Sequence, residues 1–429
     1  AQLYILDFGS ETMKIFKKSA HVGDVIFSNE PEKIARFFTM LQKELKDRKD
    51  KLSDYNGDYN LYIKATKKAM PTLIIVLNNY ESFIENFPNN YDEILEILLR
   101  EGIKYRIVFI FAVSTTTALR YRILQSFKQK IVLQMNKDDD YGSVFERLGK
   151  KRPSRLFGRG LVNPEEKKYY EFQTAKICAP EEWNEKIINM INLRNAEQKL
   201  TAKEIAVVPD LVTINDLAPV ITDLSAVPIG ISHKSIKPHL IDLKKNLLNF
   251  AISNDLEECI PFIIHIIEII KLIPNINITV LDAENILQNK KENLREKYIQ
   301  AFRKMNNSKK LKDSLIIIIG FDKFMTESGE EEVFAESLKN AQSLKACHYL
   351  IIESSMKLNN YTYSDWYKNY NSSDTAIWIG NGVSEQYLIK TSSTKLLNNC
   401  GNSYGYAFIK GKPTLVKLLG LKENGEENE

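Results

Sequence analysis

The sequence contains few cysteines and histidines, and neither kind is clustered. Four cysteines, Cys178, Cys259, Cys347 and Cys400, stand far apart without a C-x-x-C pair, and the five histidines form no group. This spacing argues against a zinc site and is typical of a protein from a reducing compartment. We therefore expect no bound metal.

The sequence also lacks a large excess of one charge and a long hydrophobic run. Its 59 Lys and Arg residues against 55 Asp and Glu residues give a net charge of +4, whereas nucleic-acid machines usually carry a concentrated basic face. The longest apolar run, Ile260 to Ile273, is too short to span a bilayer and contains His265 and Glu268, so it predicts a buried helix. No signal peptide precedes the first hydrophobic strand, and we expect a fragment whose upstream part is missing.

Short β-rich apolar runs alternate with longer helical patterns, which predicts an α/β fold with mainly parallel sheets. The predicted strands are LYIL at residue 3, LIIVL at 73, IVFIFAV at 107, IVLQM at 131, LLNFAI at 247, ITVL at 278, LIIII at 315, YLII at 349 and AIWIG at 376.

The strand order repeats itself along the chain. LYILDFGSE matches ITVLDAENI, so Asp7 corresponds to Asp282, and LIIVLNNYESF matches LIIIIGFDKF. YRIVFIFAVSTT then matches CHYLIIESSMK, at equal spacings of 106 − 73 = 33 and 348 − 315 = 33 residues, and LFGRGLV near Gly158 matches SYGYAFI near Gly405.

The repeat predicts two domains, residues 1–207 and 208–429. The segment VVPDLVTINDLAPVITDLSAVPIGI between them is rich in Pro and Asp, and we interpret it as a linker that lies across the first domain. The second copy begins with an additional strand and helix, Asn246 to Ile273, that the first copy lacks. The first domain is therefore predicted to be truncated at its N-terminus.

A nucleotide-binding domain of this layout needs a Gly-rich loop, G-x-x-x-x-G-K-S/T, between its first strand and helix. The second copy has a loop of that length, Ser253-Asn254-Asp255-Leu256-Glu257-Glu258-Cys259-Ile260. Glu258 replaces the second Gly, Cys259 the Lys and Ile260 the hydroxyl that would hold magnesium. Because three acids in the loop would repel a triphosphate, we favour a degenerate structural loop over an unorthodox nucleotide site.

Such a domain also needs a carboxylate pair at the end of a central strand, one for magnesium and one to activate water. The first copy offers Asn78 and Asn79 there, and an amide cannot accept a proton. The second copy offers Ile319 and Gly320, and Asp322 follows slightly too late. Neither copy is therefore expected to hydrolyse ATP as it stands.

Three further groups of polar residues admit two interpretations each. Ser114 to Thr117 could sense a γ-phosphate, with Arg120 or Arg122 as an arginine finger, but a helix N-cap with solvated arginines is favoured. Asp7 and Asp282 could contact a ribose or, as we favour, cap the following helix. The densest basic stretch is more typical of an exposed loop than of a DNA contact; it comprises Arg147, Lys150, Lys151, Arg152, Arg155 and Arg159.

Taken together, these segments resemble the C-terminal part of the FtsK/SpoIIIE-type ATPases of type VII protein secretion, the EssC/EccC family. The resemblance is carried by LYILDFGSETMKIFKKSAHVGDVI, LIIVLNNYESF, LRYRILQSFKQKIVLQMNKDDDYGSVF and GRGLVNPEEKKYYEFQTA, followed by VPDLVT and VPIGI. It covers essentially the whole chain, more strongly for residues 1 to 180 than beyond 230. It implies two tandem P-loop NTPase domains of the RecA/FtsK-like fold.

The resemblance also implies a function. Family members have a membrane-anchored N-terminal part and three ATPase domains, of which this chain would be a truncated second and a complete third. The first is the main engine, and the later ones bind nucleotide weakly or not at all and help to recognise substrates. The expected partners are secreted helical hairpins of the WXG type, other secretion components and the upstream ATPase domains, with an oligomer allowed and nucleic acid not favoured.

ATP and magnesium are cofactors of the family, and none is expected in this fragment. The expected location is the cytoplasmic side of the bacterial membrane. Two alternatives stay open: a DNA-translocating FtsK-type segment, and an ATPase that is active once an upstream P-loop is restored. The first predicts a strongly basic channel face and a C-terminal winged helix, and the second predicts magnesium-dependent hydrolysis in a longer chain.

Overall fold

The computed structural model describes residues 1–115, 118–145, 148–165, 168–197, 201–287, 293–307, 313–328, 331–344, 346–393, 396–401 and 403–420. The chain divides into two compact units, Ala1–Val207 (unit 1) and Val208–Glu429 (unit 2).

In unit 1 the strands are β1 (Gln2–Asp7), β2 (Val22–Phe27), β3 (Leu73–Asn78), β4 (Ile107–Ala112), β5 (Ile131–Val132), β6 (Arg159–Glu165) and β7 (Lys168–Gln173). The helices of unit 1 are α1 (Pro31–Ser53), α2 (Tyr59–Thr66), α3 (Tyr80–Asn86), α4 (Asp92–Glu101), α5 (Tyr121–Ser126), α6 (Asp140–Val144) and α7 (Trp183–Glu197).

Unit 1 contains two separate sheets. The first is parallel, with strand order β2-β1-β3-β4, and the second is an antiparallel β5-β6-β7 sheet. Helix α1 buries the apolar stripe that includes Ile34, Phe37 and Leu41 in the same core as alternate residues of β3, because one helix face and every second strand residue point to that core.

In unit 2 the strands are β8 (Val227–Ser232), β9 (Pro238–Ile241), β10 (Leu248–Ser253), β11 (Asn277–Asp282), β12 (Ser314–Ile319), β13 (Cys347–Ser354), β14 (Ala376–Ile379), β15 (Tyr404–Ile409) and β16 (Lys412–Leu418). The helices of unit 2 are α8 (Ile214–Leu217), α9 (Ile260–Lys271), α10 (Leu294–Asn307), α11 (Phe321–Ser328), α12 (Glu331–Leu344), α13 (Ser355–Asn359) and α14 (Asp365–Tyr370).

The described strands of unit 2 form one nine-stranded sheet, β11-β12-β13-β10-β14-β15-β16-β8-β9, which is parallel from β11 to β14 and antiparallel beyond. Every residue of β10, β12 and β13 is buried, as expected for parallel strands covered on both faces. Helix α9 belongs to the core on one face, and the aromatic residues of α11, α12 and α14 belong to the core on the other.

The two units repeat the same strand order, with β1, β3 and β4 matching β11, β12 and β13. The repeat is offset from the sequence match by one residue between β3 and β12 and by two residues between β4 and β13. Asp7 is in register with Asn78 in unit 1, and Asp282 is in register with Ile319 in unit 2. Leu73 pairs with Ile107, and Arg106, from which the spacing was counted, lies before the strand in a left-handed conformation.

The linker interpretation of the segment around residue 210 is wrong. From Val208 onward the chain belongs to unit 2, where Val212, Leu217 and Leu224 lie in its core and β8 pairs with β16 and β9. Pro and Asp residues interrupt the apolar residues of this segment, so strand β8 is hard to recognise in the sequence. The strand predicted at IVLQM is also shorter than expected, since β5 comprises only Ile131 and Val132.

Candidate functional site

The predicted phosphate-binding loop lies at the carboxyl edge of the parallel sheet of unit 2. Strand β10 ends at Ser253, beside Ser354 of β13 and Ile379 of β14, and helix α9 begins at Ile260. In open α/β sheets, ligands bind at this edge, outside the carboxyl ends of the strands. The loop therefore has the position of a ligand site, and its chemistry decides its role.

The loop satisfies its polar groups internally. The Ser253 hydroxyl donates to the Asp255 carbonyl at 2.8 Å, and the Glu257 N–H donates to the Asp255 carboxylate at 2.9 Å. The Cys259 thiol points inward to the Asp255 carbonyl at 3.3 Å. A carboxylate of the protein thus accepts a backbone N–H of the kind that binds phosphate in a P-loop.

Burial makes the Cys259 thiol inert. The residue is 1% exposed, and burial raises the pKa of the thiol to about 12. At neutral pH it is an uncharged apolar group at the position where a P-loop has a lysine. It supplies no positive charge for a phosphate.

The sides of the loop are fixed by neighbouring strand ends. The Asn254 amide donates to the Asn381 carbonyl at 3.4 Å and accepts from the Ser355 hydroxyl at 3.2 Å. Glu258 faces Gly380, where an added Cβ would lie 3.6 Å from the carboxylate. The residues present do not fit a magnesium nucleotide, because they bring acids to the phosphate position and provide neither lysine nor hydroxyl.

The candidate carboxylate-pair positions of unit 2 carry no acid. Ile319 is fully buried, and Gly320 adopts a left-handed φ of 70° beneath Glu284, where a Cβ would come within 2.4 Å of the Glu284 Cγ. Asp322 lies in the first turn of α11 and accepts a hydrogen bond from the Tyr361 hydroxyl at 3.1 Å.

Glu353 is an acid at this edge that the sequence analysis missed. It is fully buried near the end of β13 and accepts hydrogen bonds from the N–H of Asp322 at 2.8 Å and of Ser354 at 2.7 Å. Burial raises the pKa of its carboxyl group. A glutamate that interrupts an otherwise apolar strand, YLIIES, was the signal that could have revealed it.

A second acid at the edge, Glu284, is neutralised by lysines. Lys357 lies 3.1 Å and Lys323 3.4 Å from its two carboxylate oxygens. The hydrogen bond that the Lys357 amine donates to the Glu284 carboxylate raises the pKa of that amine. The charge of Glu284 is therefore balanced by these two lysines.

In unit 1 the corresponding residues make hydrogen bonds within the unit. The Asp7 carboxylate accepts from the N–H of Gly9 and Met13 and from the Asn78 amide, at 3.2, 3.1 and 2.8 Å. Asn79 has a left-handed φ of 63° and caps α3 through the Ser82 N–H. Asp282 of unit 2 similarly accepts from the Leu287 N–H at 2.7 Å.

The other predicted site residues of unit 1 make local contacts. The N–H groups of Ser114 and Thr115 donate to Glu81 at 2.6 and 2.7 Å. Arg120 pairs with Asp92 and also donates to Asn89 at 3.0 Å. Arg122 lies exposed in α5. Thr116 and Thr117 lie outside the described residues.

The basic stretch is partly engaged within unit 1. The Lys151 amine donates to the Tyr169 carbonyl at 3.0 Å, and Arg152 stacks over the Tyr141 ring at 5.5 Å. Arg159 lies 3.9 Å from Glu171. Arg147 lies outside the described residues. These contacts are those of a folded loop.

The described part of the chain offers neither a metal-binding cluster nor a membrane-spanning helix. Within it, no group of three or more His, Cys, Asp or Glu side chains could hold a metal ion. Its helices include none that is long and apolar enough to cross a membrane.

Comparison with known proteins bears out the resemblance. No family model matches the chain. The type VII secretion system protein EssC of Staphylococcus aureus is 23% identical over 264 residues, which cover 59% of this chain and 18% of that protein. The ESX secretion system protein YukB of Bacillus subtilis is 22% identical over 256 residues, covering 57% of this chain and 17% of that protein. The chain thus spans less than a fifth of the length of these relatives.

Solved structures match over almost the whole chain. EssC (ATPases 2 and 3) from Geobacillus thermodenitrificans superposes with a TM-score of 0.80 at 15% identity, covering 98% of this chain and 85% of that one. The cytoplasmic domain of EssC superposes with a TM-score of 0.74 at 15% identity, covering 98% of this chain and 89% of that one. The predicted fold class is confirmed: the chain has the α/β fold of tandem P-loop NTPase domains, like ATPase domains 2 and 3 of EssC.

Proposed function

We propose that the chain is a protein-recognition and regulatory module of a type VII secretion ATPase, with little or no ATP hydrolysis of its own. The observation that carries the proposal is the loop between β10 and α9. Unit 2 keeps the strands and helix of an ATPase domain, while in its loop the exposed Asp255 carboxylate accepts a backbone N–H and the Cys259 thiol is buried. A domain that keeps its fold without its chemistry is suited to presenting surfaces.

The charges of the loop also argue against nucleotide binding. Asp255, Glu257 and Glu258 place three carboxylates in or beside the loop, and like charges a few ångströms apart repel by about 1 kcal/mol even at the dielectric constant of water. Lys323 and Lys357, at the same edge of the sheet, are paired with Glu284. No residue of the loop offsets this repulsion, so neither ATP nor magnesium is proposed as a cofactor of this fragment.

The proposed partners follow from the relatives, which are named as secretion system proteins. They are secreted helical-hairpin proteins of the WXG type, other secretion components and further ATPase domains of the same protein, in an oligomer. The proposed location is the cytoplasmic side of the membrane, since a matching structure is described as the cytoplasmic domain of EssC. Anchoring would come from a segment outside these residues.

The test is calorimetric titration of the chain with MgATP and, separately, with a purified WXG-type protein from the same secretion locus. We expect saturable binding of the protein and no binding of MgATP at about 1 mM, which corresponds to less than about 4 kcal/mol of binding free energy. A MgATP dissociation constant below about 100 μM would overturn the interpretation of the loop. Failure of every such substrate to bind would overturn the recognition role.

A matched variant shows whether the assay can detect a functional loop. Ser253→Gly, Glu258→Gly, Cys259→Lys and Ile260→Thr together restore the G-x-x-x-x-G-K-T pattern in a loop of unchanged length. Circular dichroism first establishes that this variant folds. We expect MgATP binding in the variant alone, because only it has the lysine and hydroxyl that a P-loop uses.

A further inference from the structure

The basic stretch of unit 1 displays two neighbouring apolar side chains at the surface. Leu156 is 56% exposed and Phe157 is fully exposed, in the segment that leads from α6 into β6. Single exposed apolar residues are ordinary on a protein surface. An adjacent pair among charged residues is better suited to contact with another molecule.

Side chains of the β5-β6-β7 sheet hold the backbone of this pair in place. The Gln134 amide donates to the carbonyls of Ser154 and Leu156 at 3.0 and 2.8 Å. The Gln173 amide, at the end of β7, donates to the Phe157 carbonyl at 3.0 Å. Loops fixed in this way by a rigid scaffold are where binding residues are commonly displayed. The exposure of the two apolar side chains is therefore a feature of the folded unit.

The charges beside the apolar pair have one sign. Between residues 148 and 160 the sequence has five basic residues and no acidic residue; the basic ones are Lys150, Lys151, Arg152, Arg155 and Arg159. Arg159 lies 3.9 Å from the Glu171 carboxylate, whereas Lys150, Lys151 and Arg155 are exposed. The basic stretch thus presents positive charge and apolar side chains to solvent together.

We infer that the basic stretch binds the surface of an anionic lipid bilayer, with Leu156 and Phe157 inserted at the boundary between headgroups and acyl chains. Charge complementarity selects this partner, because the anionic lipids of a cytoplasmic leaflet attract clustered Lys and Arg residues. Apolar side chains beside such residues enter the interface. A nucleic acid would also attract the charges, but it offers a leucine no apolar interior. The inference rests on the membrane location given under the proposed function.

The test is co-sedimentation of the whole chain with lipid vesicles. Vesicles of phosphatidylcholine that contain about one third phosphatidylglycerol are compared with vesicles of phosphatidylcholine alone. Each basic residue near an anionic surface strengthens binding roughly fivefold, so three exposed ones predict a preference of about a hundredfold at low salt. We expect this preference to fall as the salt concentration rises, because salt screens the attraction.

A matched pair of triple variants tests whether the charges act at this position. Lys150→Gln, Lys151→Gln and Arg155→Gln together should remove most of the preference for anionic vesicles. The control is the replacement of three exposed lysines elsewhere in unit 1 by glutamine, which changes the net charge equally; they are Lys64, Lys67 and Lys68. The control should bind within about twofold of the native chain, because its lysines lie away from the apolar pair.

A second pair of variants tests the insertion of the apolar side chains. Leu156→Ser with Phe157→Ser keeps every charge, and we expect binding to anionic vesicles to weaken about tenfold or more. The control is Leu61→Ser with Ile103→Ser, at positions that are 45% and 67% exposed, and it should bind like the native chain. Circular dichroism establishes that all four variants fold.

Three results would overturn the inference. They are equal binding of the native chain to neutral and anionic vesicles, equal losses in the two triple variants, and a Leu156→Ser, Phe157→Ser variant that loses binding to a single-stranded oligonucleotide but not to vesicles. Failure to bind vesicles leaves the titrations with MgATP and a WXG-type protein unaffected. Failure of those titrations with vesicle binding intact would instead count against the proposed function.

Discussion

Replacing Arg48 by methionine should destabilise unit 1 more than any surface change on the same helix. Arg48 of α1 is 1% exposed. Its guanidinium donates to the carbonyls of Tyr105, Arg106 and Pro71 at 2.8, 3.2 and 2.9 Å and to the Glu44 carboxylate at 2.7 Å. It thus holds together the chain segments that lead into β3 and β4.

The magnitude follows from these contacts. Methionine keeps most of the volume of the side chain and removes every donor, which leaves three carbonyls without this partner. A hydrogen bond to a charged group contributes about 1.5–3 kcal/mol, and the ion pair with the partly exposed Glu44 contributes about 1 kcal/mol at most. Because the bonds share one group and are not additive, we expect a loss of about 3–5 kcal/mol.

The assay is native-state hydrogen exchange at the amides of β3. A loss of 3–5 kcal/mol corresponds to exchange faster by roughly a hundredfold to a few thousandfold, since about 1.4 kcal/mol is a factor of ten. Lys46→Met, at an exposed position two residues away on α1, is the matched control and should change stability by about 0.5 kcal/mol or less. Similar effects of the two substitutions would refute the structural role of Arg48.

Three further predictions concern the sheet edges and the thiols. Asn79→Ala should cost about 1–2 kcal/mol in urea denaturation because it removes the cap at a left-handed position, whereas Asn79→Gly should cost only a few tenths; equal losses would contradict this. In iodoacetamide labelling followed by mass spectrometry, Cys178, which is partly exposed, should react in the native chain, while Cys259 stays unlabelled until unfolding. Early labelling of Cys259 would show that the loop opens. The raised pKa of Glu353 means that the folded chain binds its proton more tightly than the unfolded chain does. Its contribution to stability is therefore full below the ordinary value of 4.5 and declines as the pH rises through the folded pKa, so the stability advantage over Glu353→Gln should shrink across that range. A stability difference between the native chain and Glu353→Gln that grows as the pH rises would contradict this prediction.

The parallel strands could be predicted from sequence because burial on both faces leaves a continuous apolar run. Strands β10, β12 and β13, each buried along its whole length, contain such runs, bounded by polar residues. Strand β2 escaped prediction because its run VGDVIF is interrupted by Asp24, which is buried beside Lys17 and Lys33. A salt bridge between distant residues leaves no local periodic signal.

The position of the candidate site could be predicted from the sequence, but not all of the residues that form it. A loop of fixed length between an apolar strand and an apolar helix located Ser253 to Ile260 at the carboxyl edge. Glu353 and the two lysines at Glu284 could not be placed, because they meet only once β11, β12 and β13 are side by side. The length of the loop can be read from the local sequence, whereas the pairing of charges at the edge depends on the tertiary structure.

Strand β12 has a consequence for handling the protein in solution. Its sequence SLIIII has five consecutive leucine or isoleucine residues without charge, and all six residues are buried in the folded chain. Short segments of high β-propensity and low charge form intermolecular sheets when they are exposed. Refolding yield from denaturant should therefore fall steeply with protein concentration. The charged residues on either side in sequence, Lys312 and Asp313 before the strand and Asp322 and Lys323 after it, act as gatekeepers that slow this aggregation.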